Sequence, residues 1–209
     1  MKKPFLLPLI AAIAITIFAF GGQKDCPPEG KPNPKKGSKA VLKPREKNLN
    51  RHKNRESVPQ ASDIDNSVTL QGMYDSKDDS IFNSDKGVAL IGYIFRAADI
   101  GMESCNCYTE DKSKYSVNVY ISKDPITKQT KTSECMVAVI TPYSKTLNTN
   151  WTADYITDKL IGKRVKLTGW LIYDYVKSNE SVETNSNGTQ LDRRTIWGVC
   201  PVTDIKTLE

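Results

Sequence analysis

Histidine is almost missing from this 209-residue chain: His52 is the only one. Imidazole acid–base chemistry and histidine-rich metal sites are therefore poor explanations of anything the later residues do. Positive charge is also short where it would matter. The net charge is +6, yet residues 23–59 hold 11 Lys/Arg against 4 Asp/Glu, and Lys2 and Lys3 add two more, so residues 60–209 carry −3. Nucleic-acid affinity comes mainly from neutralising phosphates, and a slightly acidic body argues against that partner. Residues 23–59 also have almost no large apolar side chains, and Pro27, Pro28, Pro32, Pro34 and Pro44 oppose regular structure. The expectation is a solvated basic linker over residues 23–60. The alternative is a basic arm that touches lipid headgroups or cell-wall polymers.

What is present begins with an export pattern. Lys2 and Lys3 precede an apolar run over residues 5–20, and Ala19 and Gly21 are small residues spaced for cleavage near Gly22. Residues 1–22 thus read as a signal peptide or an N-terminal anchor, and the protein as periplasmic or secreted. The run is slightly short for a membrane span.

A globular pattern occupies residues 61–209. Val68, Thr69 and Leu70 suggest a short leading strand. Asp78, Asp79, Asn83 and Asp85 surround Phe82 in a loop whose spacing fits a polar turn better than a calcium loop. Residues 88–95, 115–122, 135–140, 162–174 and 195–200 read as five strands. In the fourth, Val165, Leu167, Leu171 and Tyr173 alternate with Lys166, Thr168 and Ile172, and Gly169 interrupts them, which predicts a bulge. A helix over residues 152–161 has Asn150 as a candidate cap and Gly162 as a stop. The expected fold is mainly β: a five-stranded OB-like Greek-key barrel with one helix between strands three and four. Long loops over residues 97–114 and 175–192 would flank a ligand face.

The pieces Leu49-Asn50, Lys53-Asn54-Arg55, Gly92-Tyr93, the ESCNC run ending at Cys107, Thr141-Pro142, Gly162-Lys163, the TGWL run ending at Leu171, and Trp197 with Pro201 carry a likeness. On them the chain resembles a family of uncharacterised bacterial exported proteins with an OB-like domain. The resemblance implies export and the barrel, and no activity. It also implies polar residues on strands two, three and five, where this chain has Asn118, Val139, Tyr143, Gly198 and Cys200. Fewer acid–base groups at those positions argue against reading an enzyme from the likeness.

Four cysteines lie in the body: Cys105, Cys107, Cys135 and Cys200. In an exported protein they are expected to form disulfides, with Cys105 and Cys107 each partnered by Cys135 or Cys200. A four-thiolate zinc site and a Cys-x-Cys redox pair are the alternatives. No other cofactor is implied. Tyr120, Trp170 and Trp197 are the candidate stacking aromatics. Trp197 reads as core and Tyr120 as the best exposed platform. Asp174 and Arg194 complete the candidate binding set, and Arg193-Arg194 with Asp174 and Asp192 offer an ion pair or an anion site. The leading functional expectation is an exported, non-catalytic binding module for a glycan or a protein. Membrane contact would come through the N-terminal segment. The alternatives are a metal-dependent phosphodiesterase using Asp99, Glu103, Asp174 and Arg194, and a structural envelope protein.

Overall fold

The computed structural model describes residues 26–37, 39–76, 80–182 and 191–209. The export pattern at the N-terminus and the residues Asp78 and Asp79 lie outside these. The body is a five-stranded mixed sheet with few helices. Strand β1 (Gly87–Ile100) is 14 residues long and serves two neighbours in turn. Its first half pairs antiparallel with β4 (Arg164–Tyr173), and its second half with β2 (Ser116–Ser122). The changeover falls at Tyr93, between Gly92, where a Cβ would meet Ile121 Cγ2 at 2.5 Å, and a register shift between Ile94 and Arg96. Strand β3 (Cys135–Ile140) continues antiparallel from β2, and β5 (Trp197–Thr207) pairs parallel with β3 and antiparallel with β4.

The bulge expected at Gly169 is present: the β4–β5 register shifts on both sides of it. It lets β5 continue through Pro201 to Thr207, beyond the end expected at Cys200. Proline has no N–H to donate, and a bulge opposite removes the need for one. Val88, Val117, Val119, Ile140, Leu167, Leu171 and Val199 meet in one apolar core around a fully buried Trp197, as read from the sequence. Phe82 and Tyr173 close on the Trp197 ring edgewise, at centroid distances of 5.3 and 5.0 Å.

The helices depart from expectation in three places. Residues 44–53 form α1 (Pro44–Lys53) inside the segment expected to be a linker. Proline is harmless at the first helical position, and the Glu46 carboxylate accepts the Lys43 backbone N–H at 2.7 Å. Leu70 opens a helix, α2 (Leu70–Asp75), where a strand was expected, because Thr69 caps it by accepting the Gly72 N–H at 3.0 Å. Two helices rather than one separate β3 from β4: α3 (Pro142–Leu147), capped by Thr141, and α4 (Ala153–Leu160). The α4 cap is Thr152, not Asn150, and Ile156 and Leu160 lie in the core while Ile161 is exposed.

Candidate functional site

Residues 26–37 and 39–57 lie against the β1–β2 connection and the adjoining ends of β4 and β5. A disulfide joins Cys26 to Cys107. Asn50, buried in α1, donates to the Glu29 carbonyl at 2.8 Å and accepts from the Ser104 hydroxyl at 3.1 Å. Asn54 donates to the carbonyls of Pro28 and Cys105. A Cβ on Gly30 would meet the Ser104 carbonyl oxygen at 2.0 Å, and its φ is +71°, so only glycine allows the two backbones to pass this closely. Leu49 packs on Ile172 and Cys200, which covers the outer side of the sheet.

This packing carries Lys53 into a cavity of about 560 Å³. The wall comes from every part of the fold that faces it. Ser116 and Asn118 belong to β2, Val139 to β3, Cys200 to β5 and Asp174 to the end of β4. Glu103 and Cys105 come from the β1–β2 connection, and Lys177 and Arg193 from the β4–β5 connection. The Lys53 ammonium lies 3.0 Å from Asp174 Oδ2 and 3.7 Å from Glu103 Oε2. Burial alone would push the lysine down, but Asp174 and Glu103 outweigh it and hold it above the ordinary range. Burial likewise works against the Asp174 carboxylate, and Lys53, then Arg193, more than offset it, so the group sits below the usual aspartate value.

Two polar atoms in this wall lack partners: Asp174 Oδ1 and Arg193 Nε, both buried. Such atoms are rare in native structures and each calls for a reason. Arg193 reaches the cavity because its backbone is fixed on one side, its N–H donating to the Glu180 carbonyl and its carbonyl accepting from Val182. The next residue consequently points elsewhere. Arg194, the arginine expected in the binding set, donates its backbone N–H to Cys135 and lines a separate open cleft with Lys123 and Glu134.

No family model, no curated protein and no solved structure matches the chain.

The other candidates divide clearly. Asp174 and Glu103 are in the cavity, while Asp99 is exposed on β1 outside it. Tyr120 is not an open platform: it is 4% exposed, and its hydroxyl donates to Asp192 at 2.6 Å. Burial, with Asp192 adding to it, pushes that phenol up to about 12. Trp170 is covered as well. Its Nε1 donates to the Ser57 carbonyl at 2.7 Å, and the Arg55 guanidinium lies 4.3 Å over its ring. The four body cysteines do not pair among themselves. Cys107 bonds Cys26, leaving Cys105, Cys135 and Cys200 as buried thiols. Cys135 packs with Tyr120 and Val137, so of the four body cysteines Cys105 and Cys200 reach the cavity, and the four-sulfur zinc set is not assembled. Among the described residues no cluster of three or more His, Cys, Asp or Glu could hold a metal ion. Burial pushes the Cys105 thiol up to about 12 against the pull of Lys53, so it stays protonated at neutral pH.

Asn118, Val139, Tyr143 and Cys200 line the cavity, and Gly198 does not. Sequence reasoning missed Lys53 and Cys26. The signal for Lys53 was local: a proline followed two residues later by glutamate marks a helix start inside an otherwise polar stretch.

Proposed function

We propose that the chain is an exported, non-catalytic binding module on an OB-like Greek-key barrel, and that a glycan end is its ligand. The strand order β1-β2-β3-β5-β4, with β1 also pairing β4, supports the barrel reading. In an OB-fold the β2–β3 face and the β1–β2 and β4–β5 loops receive ligands, and those same parts line the cavity here. The Cys26–Cys107 disulfide and the apolar run over residues 5–20 support export. Among the described residues no helix is long and apolar enough to cross a membrane.

One observation carries the functional reading. A concave 560 Å³ cavity holds two buried polar atoms without partners. Its volume suits a small polar ligand rather than a flat protein surface. Asn54, Asn106, Asn118 and Thr141 add neutral donors and acceptors, and Pro142 and Tyr143 an apolar side, a mixture that suits sugar hydroxyls and ring C–H groups. Lys53 occupies the space between Asp174 and Glu103 and ties up both carboxylates, which disfavours general-base work.

Binding of the full-length oxidised protein to a panel of neutral and acidic glycans, with oligonucleotides alongside, tests the proposal. Selective glycan retention supports it; tight binding to DNA alone rejects it. A hydrolase stays as the second reading because Asp174 and Glu103 do converge beside a lysine. Metal-dependent phosphodiester cleavage that is lost in Asp174→Ala would replace binding with catalysis.

A further inference from the structure

The charged groups of the cavity are unequally served. Six line it: Lys53, Lys177, Arg193, Glu56, Glu103 and Asp174. Lys53 has two carboxylates, and Lys177 has Glu180 at 3.0 Å. Arg193 is 4% exposed, its Nε has no partner, and among the described residues no carboxylate lies within 4.0 Å of it. A guanidinium is never neutral, so burial cannot be relieved by losing the proton. With no carboxylate in contact, it can receive an anion, and its planar fork fits a carboxylate.

The anion must also satisfy its neighbour. Asp174 is close enough for Arg193 to lower its pKa, and its Oδ1 needs a donor. Acetate would meet Arg193 but leave Oδ1 unpaired. A neutral sugar would donate to Oδ1 without matching the guanidinium. A free amino acid offers both a donor and a carboxylate, but its ammonium would enter beside the Lys53 ammonium, which already lies 3.0 Å from Asp174. A carboxylate with a hydroxyl on the neighbouring ring carbon meets both demands and adds no cation.

We infer that the ligand is an acidic glycan, with a uronic-acid residue whose carboxylate is received by Arg193 and whose adjacent hydroxyl donates to Asp174. The inference rests on the glycan-binding reading above and specifies it. Arg193 is then the specificity residue of the cavity, and Lys53 a positioning residue that holds Asp174 in its ionised form.

Calorimetric titration of the full-length oxidised protein with D-glucuronate, D-glucose and L-alanine tests it. Glucuronate and glucose differ only in the carboxylate, so glucuronate should bind about 10- to 100-fold more tightly, as expected of a charge-assisted pair. Arg193→Gln should reduce that preference to a few-fold. Equal affinity for the two sugars, or a preference that survives R193Q, overturns the inference while the glycan-binding reading stands. Binding of neither sugar, or of alanine alone, overturns both. Should R193Q fail to fold, the ratio measured on the unsubstituted protein decides by itself.

Discussion

Replacing Lys53 with methionine keeps an unbranched stem of similar length and removes the ammonium. Asp174 then stays buried with one oxygen already unpaired and its 3.0 Å partner gone. Removing one partner of a buried ion pair costs about 3–5 kcal/mol, mostly through the stranded charge. The double replacement Lys53→Met with Asp174→Leu strands nothing and should recover most of the loss. The assay is urea unfolding of the oxidised protein. With a slope near 2 kcal/mol/M, the single variant's midpoint should fall by roughly 2 M with the slope unchanged. The acid limb gives a second reading. Asp174 sits below its usual value of 3.8, so its contribution is present above that value and lost as pH falls through the lower folded one. The wild type should therefore weaken below about pH 4 more steeply than the double variant. Lys53 is held above its usual value of 10.5, so its contribution persists below that pH and is lost only in strong alkali. A K53M cost under about 1 kcal/mol would refute the reasoning, because it would mean that the Lys53–Asp174 pair is solvated rather than buried.

Other consequences are simpler to check. The Cys26–Cys107 disulfide closes a loop of 81 residues, so Cys26→Ser should cost up to about 4.5 kcal/mol by chain entropy; an unchanged unfolding midpoint on reduction would contradict this. In the native protein Cys105, Cys135 and Cys200 should resist thiol reagents at neutral pH, and all three should react in denaturant without reductant. Gly169→Ala should cost roughly 1–3 kcal/mol, since its Cβ would meet the Pro201 carbonyl at 2.4 Å and Val199 Cγ1 at 2.5 Å; thermal unfolding at the wild-type temperature would dismiss that contact.

Alternation made the strands legible, and a glycine at residue 169 announced its own bulge. Val117, Val119 and Ile121 lie on the core side because the strand period is two. The same rule put Asn118 and Tyr120 on the opposite side but could not say what covers it. Asn118 turned out to line the cavity, and Tyr120 to be sealed against Cys135, Val137 and Asp192. Coverage is a tertiary fact, set by segments distant in sequence. The error over residues 44–53 has a similar cause. Composition there is that of a disordered chain, and α1 has little apolar surface of its own beyond Leu49. It is fixed by a disulfide and by side-chain bonds from Asn50 and Asn54, which no local pattern reveals. Choosing Arg194 over Arg193 was a choice between faces, decided by backbone bonds to Glu180, Val182 and Cys135.

The most direct test of the site is amide and side-chain chemical-shift mapping of the oxidised protein during titration with an acidic oligosaccharide. The largest changes are expected at Lys53, Asn118, Thr141 and Arg193, around the cavity mouth and floor. Changes confined to the open cleft that holds Lys123 and Arg194, or none at all at saturating ligand, would contradict the assignment of the cavity as the ligand seat.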